Sequence, residues 1–447
     1  MSAIGNATSH PGIASTASKR RFMIRMVAVL VGGMFLDGYI LGIIGPVSGT
    51  MAEDLHLDVV WQGLIAAAAL MGILIGSPLG GWAADKWGRK PIFMFDIGLF
   101  AIASGMQFFI DSPVWLLVVR LLMGIAIGAE YAVGWPLMAE FSATHLRGRL
   151  MGAMEIAWYA GFMIAFLAGH LLSEYTDLSW HFILGTSTFI AVALFLARLG
   201  LPESPRWLWS VGRKDEARAL AAKYMPDDAL DDVQHEDVRK GSFGMLFSKT
   251  HWRSTLFISA FWFCAVTPYF AIATFADSVL NQYGLSGGLA GGVGLSAIAL
   301  AGVVVTFLLI DKAGRRVLCV PPQWLCAVVL AIIGLWAGAP APVVLILFLV
   351  FSFFNAMYTT LTGVYPGEVL PTEIRGVGTG FAAAVSRVGA GIGIFLFPMS
   401  MESLGSGPTM LIAAGVALAG AGLSQWLAPE TKGKTLTEAA AGYSHQD

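Results

Sequence analysis

The stretch Asp85-Lys86-Trp87-Gly88-Arg89-Lys90 occurs twice in this sequence, and its second copy decides how the whole chain is organised. It returns 226 residues later as Asp311-Lys312-Ala313-Gly314-Arg315-Arg316. Each copy lies between two long apolar runs. A charged motif that recurs in the same setting indicates that one half of the chain duplicates the other.

Two further motifs repeat in the same order and at nearly the same distance. Glu140, seven residues before Arg147, recurs as Glu368, seven residues before Arg375. A third motif, Pro-Glu followed by Ser or Thr, lies at 202–206 and again at 429–433. Three motifs at one period predict two equivalent halves, the parallel repeat typical of membrane proteins built from two helix bundles.

The composition places most of the chain in lipid. Of 447 residues, 56% are hydrophobic and only 13% are charged, with a mean hydropathy of +0.71. A soluble domain carries roughly 25% charged residues. These values exclude a soluble enzyme, a nucleic-acid binder and a fibrous protein, and the net charge of −2 points to no polyanionic partner.

Twelve segments have the length and apolarity of a membrane-spanning helix, for which about 20 residues suffice. The predicted spans are 26–48, 61–83, 91–110, 114–137, 150–172, 180–200, 254–278, 288–310, 317–337, 342–365, 377–399 and 408–427. They predict an all-α membrane protein with about twelve helices in two six-helix bundles.

The cations predict the orientation. Of 27 Lys and Arg residues, 25 fall at the N-terminus, the C-terminus or every second loop, including ten from Arg198 to Arg253 around the central loop. Because cytoplasmic loops carry the excess of Lys and Arg, both termini are expected in the cytoplasm. The predicted regions are a disordered cytoplasmic tail 1–25, an N-terminal bundle 26–201, a cytoplasmic loop 202–252, a C-terminal bundle 253–428 and a cytoplasmic tail 429–447.

Cofactor and metal chemistry is not expected. The three cysteines form no CxxC motif, the histidines show no HExxH spacing, and no ATP-binding motif occurs. The central loop of about 50 residues is too short for an attached catalytic or signalling domain. Energy for any transport must then come from a gradient.

Charged residues that lie deep inside predicted helices are the best pointers to function, because an unpaired charge there costs at least a few kcal/mol. The candidates of this kind are Asp37, Arg120, Glu130, Glu155 and Arg387. Asp37 lies 12 residues into the first helix, which places it about 18 Å deep and near the bilayer centre. These residues are the best candidates for function in the chain.

The motifs resemble those of the major facilitator superfamily, in its sugar-porter-like branch. The 81–90 stretch resembles the superfamily loop between helices 2 and 3, and Arg120-x3-Gly124-x3-Gly128 resembles its helix-4 motif. PESPRWL at 202–208 and PETKGKTL at 429–436 are similar to sugar-porter signatures. The resemblance covers about 415 residues and implies an inner-membrane secondary transporter that works by alternating access and is not an enzyme.

Several positions depart from the sugar-porter pattern. Helix 7 carries no amide in 261–268, and Glu155 stands where sugar porters carry a sugar-binding glutamine. Ser386-Arg387-Val388-Gly389 instead resembles organic-anion and niacin-type transporters, in which the arginine favours anions. Asp37-Gly38-Tyr39 resembles the helix-1 motif of aromatic-acid and niacin-type symporters, although their frequent second aspartate is missing.

The resemblance implies roles for the buried charges. Asp37 and Arg120 are expected to couple transport to protons by gaining and losing their ion pair, the alternative being a static pair. Arg387 is expected to hold a carboxylate with its bidentate fork, unless it pairs with Glu155. Glu130 has no assigned role. The other candidate substrate-binding residues are Tyr131, Trp158, Tyr159, Trp262, Asn355 and Tyr358, together with Glu155.

Two matching charge clusters at the cytoplasmic helix ends are expected to form a gate that breaks on inward opening, unless they are ordinary solvated loops. They comprise Asp85, Arg89, Glu140 and Arg147 in the first half, and Asp311, Arg315, Glu368 and Arg375 in the second.

The sequence thus predicts proton-coupled symport of a small organic anion, namely a monocarboxylate, an aromatic acid or a sugar acid. A sugar or polyol symporter is the first alternative, and an organic-cation or drug exporter the second. A membrane sensor lacks a signalling domain, and an intramembrane enzyme lacks a cluster of reactive groups. The expected partners are the substrate, protons and the bilayer, with no nucleic acid, and the protein is expected to be a monomer.

Overall fold

The structure is a computed structural model that describes residues 16–142, 144–225, 243–284, 289–336, 338–434 and residue 438. Within these ranges all regular secondary structure is helical. Twelve of the described helices are long and apolar enough to cross a membrane, which confirms the predicted number.

These twelve helices are labelled α1 to α12. Their bounds are α1 Ser18–Asp54, α2 Val59–Trp87, α3 Arg89–Phe109, α4 Pro113–Phe141, α5 Arg149–Tyr175, α6 Trp180–Arg198, α7 Trp252–Thr274, α8 Gly291–Ala313, α9 Arg315–Leu335, α10 Ala341–Val369, α11 Ile374–Ser403 and α12 Ser406–Leu427. Shorter helices at Pro205–Ser210, Lys214–Tyr224, Phe243–Phe247 and Ala276–Gln282 connect or extend them.

The first helix begins earlier than the apolar pattern predicts. Helical structure starts at Thr16, whereas the sequence predicts a disordered tail up to residue 25. The guanidinium of Arg25 donates to the backbone oxygens of Ala197, at 2.8 Å, and of Leu199. Arg25 thereby satisfies carbonyls at the end of α6 and holds the polar start of α1 against it. The predicted tail residues before Thr16 lie outside the described part of the chain.

Small residues let the helices of each bundle approach closely. A Cβ on Gly124 of α4 would collide with the backbone of Ala69 in α2, and one on Gly128 would collide with the backbone of Ser77. The helix-4 glycines therefore act as packing residues, since small residues permit close contact between membrane helices. In the C-terminal half, α8 packs on α10 in the equivalent way, and a Cβ on Gly302 would collide with the backbone of Phe353.

The two bundles meet through α2 with α11 and through α5 with α8. Their contact is uneven along α11. Met71 of α2 crowds Gly391, and the backbone of Phe395 crowds Gly63 of α2, whereas Gly376 and Gly380, near the cation-rich end of α11, have open space around them. Along α2 and α11 the bundles are therefore in close contact toward the cation-poor face, whereas α11 has open space around it at its cation-rich end.

A glutamate from a distant motif caps the N-terminus of α3. Glu203 Oε1 accepts hydrogen bonds from the backbone N–H groups of Arg89, at 3.0 Å, and Lys90, at 3.1 Å. Gly88, with φ of 104°, makes the turn before the helix, and any Cβ there would collide with Glu203. The carboxylate answers the unpaired N–H groups and the positive end of the helix dipole.

The second half repeats this cap at α9. Glu430 accepts from the N–H groups of Arg315 and Arg316, both at 3.0 Å, and Gly314 has φ of 89°. Partial burial opposes ionisation of Glu430, but hydrogen bonds from the backbone of Lys432, Arg315 and Arg316 outweigh it and lower its pKa. In each bundle, the glutamate of the Pro-Glu motif thus caps the helix that begins at the Gly-Arg motif.

We expect Glu203→Ala and Glu430→Ala each to lower the free energy of unfolding by about 0.5–2 kcal/mol, the range for losing a helix cap. Unfolding of the purified protein in detergent measures this. Glu216→Ala is the control, because Glu216 pairs with Arg213 on an exposed surface and contributes little. An equal effect of all three substitutions would contradict the cap assignment.

The Glu430 cap also predicts a pH dependence. A carboxyl whose folded-state pKa is depressed stabilises the protein above its unfolded-state pKa and loses that contribution as the pH falls through the folded-state pKa. The stability difference between wild type and Glu430→Ala should therefore shrink on acidification, as measured by unfolding at a series of pH values. A difference that grew toward low pH would refute the assignment.

Candidate functional site

The strongest polar interactions in the membrane-spanning part of the protein converge on Arg198. Its Nη1 donates to Asp96 Oδ1 and to the backbone oxygen of Phe93, both at 2.7 Å. Its Nη2 donates to both carboxylate oxygens of Glu130, at 2.6 and 2.8 Å. The Arg198 guanidinium also lies 3.6 Å from the centre of the Phe93 ring. One arginine thus ties α6 to α3 and α4.

The sequence pattern does not predict this cluster. It places Arg198 among the cations of the central loop, whereas Arg198 lies at the end of α6 with none of its side chain exposed. Asp96 is not among the predicted site residues, although it is an isolated acid in the apolar run of 91–110, which is the signal that identifies the other buried charges. Glu130, which has no role predicted from the sequence, is the bidentate partner of Arg198.

Asp37 lies beside this cluster on α1. A Cβ on Gly33, one turn before Asp37, would collide with Glu130 and Arg198. Asp37 interacts electrostatically with Glu130, Asp96 and Arg198, and also with Arg387 from the other bundle. Its side chain is fully buried, and neither of its carboxylate oxygens has a hydrogen-bond partner.

The predicted ion pair between Asp37 and Arg120 is not formed in this structure. Arg120 Nη1 donates instead to the backbone oxygen of Ile40, at 3.1 Å, and its Nε and Nη2 have no partner. Ile40 lies within one helical turn of Asp37. Arg120 therefore contacts the backbone of α1 one turn beyond Asp37 and not the Asp37 carboxylate.

A second group of predicted residues does come together where the bundles meet. The guanidinium of Arg387 lies 5.8 Å from the centre of the Tyr131 ring, so α11 contacts α4 across the interface. Tyr131 interacts electrostatically with Arg387, Asp37 and Glu155. Glu155 also interacts with Arg387 and lies against Gly363 of α10. Arg387 is 9% exposed, and no ion pair joins it to an acid in the described ranges.

Aromatic rings close the cation-poor side of this group. Trp158 lies 5.9 Å from Phe270 between ring centres, and Tyr159 lies 5.9 Å from Tyr269. Phe162 stacks on Trp158 at 5.6 Å. Trp158 and Tyr159, both predicted to bind substrate, thus join α5 to α7 as an apolar layer between the bundles.

Three other predicted residues make less contact with Arg387. Asn355 donates to Tyr358 Oη, at 2.6 Å, and to the backbone oxygen of Ala265, at 3.2 Å, so its amide group is used within the C-terminal bundle. Tyr358 is 1% exposed and interacts electrostatically with Tyr159. Trp262 is half-buried on α7.

The predicted gate residues form two equivalent clusters, each inside one bundle. In the first, Arg89 pairs with Glu140, which also accepts from the Ser204 hydroxyl at 2.6 Å. In the second, Arg315 Nη2 lies 2.9 Å from Glu368 Oε1, and Glu368 also accepts from the Thr431 hydroxyl.

The remaining gate residues are placed as follows. Asp311 lies 3.4 Å from Arg315, Asp85 is exposed, and Arg375 donates to the backbone oxygen of Leu370 at 3.2 Å. The side chain of Arg147 lies outside the described part of the chain. Each ion pair seen here joins residues of a single bundle, and whether these clusters act as a gate stays a prediction.

A cavity of about 260 Å³ lies on the cation-poor face, remote from Arg387. It is lined by residues such as Gln62, Phe275 and Glu402. No group of three or more His, Cys, Asp or Glu side chains in the described part of the chain is arranged to hold a metal ion.

Comparison with known proteins agrees with this architecture. Residues 25–443 match the family model described as "Sugar (and other) transporter". The inner membrane metabolite transport protein YgcS of Escherichia coli (strain K12) is 36% identical over 424 residues, which are 94% of this chain and 94% of that protein. The niacin transporter NiaP of Acinetobacter baylyi is 27% identical over 428 residues, covering 93% and 96%.

Solved structures of the xylose transporter XylE have the same fold. The inward-open form of XylE from E. coli gives a TM-score of 0.79 at 22% identity, covering 94% of this chain and 100% of that one. The proton:xylose symporter XylE bound to a bromo-deoxyglucose gives 0.75 at 22% identity, covering 95% and 100%.

The twelve membrane-spanning helices of the described part of the chain form two bundles with the major facilitator fold of XylE, and the family match shows that the protein is a transporter. The chain belongs to the sugar (and other) transporter family. It is a multi-pass inner-membrane transport protein and not an enzyme.

If the Glu140 cluster helps to close the cation-rich face, Glu140→Gln should increase access to that face. A cysteine at Gly380, which has open space around it, can report this by its rate of labelling with a membrane-impermeant maleimide. The three native cysteines are buried and should give little background. Glu216→Gln is the control, and an unchanged rate in Glu140→Gln would make the cluster a stabiliser of the bundle end alone.

Proposed function

We propose that this protein is a proton-coupled symporter of a small organic anion, a monocarboxylate, aromatic acid or sugar acid, and that it works by alternating access. The observation that carries the proposal is Arg387, a guanidinium at the interface of the bundles without an ion-pair partner in the described ranges. We also propose that the cation-rich face, and with it both termini, is cytoplasmic.

The environment of Arg387 suits a carboxylate. Its Nε is buried without a hydrogen-bond partner, and the Tyr131 ring covers it from the other bundle. A charge at this depth is costly unless something negative answers it. A substrate carboxylate can accept two parallel hydrogen bonds from a guanidinium, while the aromatic layer of Trp158 and Tyr159 offers contact to its apolar part.

Asp37 is the proposed proton carrier. An ionised carboxylate with no partner is unfavourable in a membrane interior, and a proton on Asp37 removes that cost in the state seen here. In the opposite state, a shift of Arg120 from the backbone oxygen of Ile40 to Asp37 would stabilise the ionised form and release the proton. The unpaired geometry is therefore one end of the proposed coupling cycle.

A sugar or polyol symporter is the second candidate. The family description and the likeness to the xylose transporter XylE favour it. The absence of amides from 261–268 of α7 and the presence of Glu155 at the expected glutamine position count against it. A drug exporter is the least favoured candidate, because Glu130 is bonded to Arg198 and Glu155 interacts electrostatically with Arg387.

Arg387→Ala should weaken binding of a carboxylate by roughly 2–5 kcal/mol, the range for truncating one partner of a buried charge pair. Nicotinate and nicotinamide are a suitable pair of ligands, since they differ in charge and hardly in shape. Their affinities for wild type and Arg387→Ala, measured by calorimetry, should show a large loss for the acid and a small one for the amide.

Arg387→Lys serves as the matched control, because an ammonium keeps the charge and lacks the bidentate fork. It should restore only part of the affinity for the acid. If Arg387→Ala weakens both ligands equally, or if D-xylose binds while acids do not, the sugar or polyol proposal takes precedence.

Asp37→Asn should abolish accumulation driven by a pH gradient and leave exchange of labelled for unlabelled solute intact, because an amide cannot carry the proton. Uptake and counterflow in proteoliposomes separate the two activities. Glu155→Gln is the comparison, since it neutralises a second acid of the same neighbourhood. Normal accumulation by the Asp37→Asn variant would refute its role as the carrier.

A further inference from the structure

The cluster of Arg198, Asp96 and Glu130 contains two carboxyl groups and one cation, so one carboxylate is not neutralised. Asp96 and Glu130 both bond to the one guanidinium, so the three groups carry a net charge of −1 if both acids are ionised. All three side chains are buried, with exposed fractions of 0–2%. Asp37 adds a third carboxyl group nearby. It lies on α1 one helical turn after Gly33, which packs against Glu130 and Arg198.

No other charged group of the packed helices, within the described ranges, compensates for this excess. The charges of α2 are Asp85 and Lys86 at its cation-rich end, and Glu155 of α5 interacts with Arg387 and Tyr131. On α3, Arg89 pairs with Glu140 and Lys90 is exposed. Arg120 of α4 bonds to Ile40, and Arg25 of α1 bonds to the end of α6. Arg387 reaches the field of Asp37 from the second bundle, but it is not bonded to the cluster.

The geometry inside the cluster indicates how the excess is removed. The carboxyl groups of Asp96 and Glu130 are bonded to the two Nη atoms of one guanidinium, which brings them close together, while Asp96 Oδ2 has no donor in the structure. Two buried ionised carboxylates on one guanidinium repel each other and are acceptors alone, whereas a protonated carboxyl group becomes a donor and removes the repulsion. Two acids in one site that share a single proton are a recognised solution to like-charge repulsion.

We propose that Asp96 and Glu130, held by Arg198, form a second proton-binding site of this transporter, separate from Asp37. The site keeps one proton between its two carboxyl groups, which leaves the cluster neutral. It lies between Asp37 and the end of α6, where Arg25 marks the cation-rich face. The proposal concerns the protonation of this cluster and involves no substrate, so it can be tested independently of the proposed transport cycle.

Infrared spectroscopy tests the proposal, because a protonated carboxyl group has a C=O stretching band that an ionised one lacks. The protein is purified in a detergent without ester groups and measured at neutral pH. The background variant is Asp37→Asn with Glu155→Gln, which removes the two other buried acids not held by an arginine in hydrogen-bond contact. This background should retain the band of one protonated carboxyl group.

Adding either Asp96→Asn or Glu130→Gln to the background should abolish that band. Each change leaves one ionised acid paired with Arg198, so the remaining carboxyl has no reason to hold a proton. Both substitutions keep the shape of the side chain and an oxygen that can accept from Arg198, and size-exclusion chromatography verifies folding. If the background shows no such band, or if the band survives both substitutions, the cluster is an ion triad without a proton and the proposal is overturned.

Discussion

The constraint on which this structure depends is that a charge inside a membrane protein must be answered by an opposite charge, a dipole or a proton. At an effective dielectric constant of about 20, two unit charges 4 Å apart interact by about 4 kcal/mol. Arg198 meets the constraint with two carboxylates, a backbone oxygen and an aromatic ring. Because these partners come from α3 and α4, the same interaction fixes the helices around Asp37.

The two halves repeat each other in architecture and differ in charge. In both halves a glutamate caps a helix. In both, an arginine–glutamate pair joins two helices at the cation-rich end of the bundle. The N-terminal half carries four acids at depth, Asp37, Asp96, Glu130 and Glu155, together with Arg120 and Arg198, whereas Arg387 is the charged residue at mid-depth in the sequence of the C-terminal half. This division suits a transporter in which one bundle handles protons and the other attracts an anion.

The sequence predicts the features that depend on local pattern. Apolar runs of about 20 residues and repeated loop motifs predict the twelve helices and the duplication, because length and burial in lipid decide these without the need for a partner. The cap by Glu430 could also be expected, since Gly314 and the Pro-Glu motif recur together.

Contacts that depend on where a long side chain extends could not be predicted from the sequence pattern. Arg198 stands at a helix end and looks like a loop cation, but its side chain extends into the bundle toward Asp96. The Asp37–Arg120 pair changes with the transport state in the proposed cycle, and a sequence does not specify which state is occupied. Asn355 looks like a lining residue, yet its donors are used by Tyr358 and Ala265.

The claim that anion and proton move together is tested most directly by following pH inside proteoliposomes that contain a trapped pH indicator. Nicotinate, lactate and gluconate are added in turn outside, and liposomes carrying the Asp37→Asn variant serve as the control for passive entry. The account predicts that at least one of these acids acidifies the wild-type liposomes in step with its uptake, and more strongly than it acidifies the control liposomes. Uptake of an acid with no change in internal pH beyond that of the Asp37→Asn liposomes would contradict it.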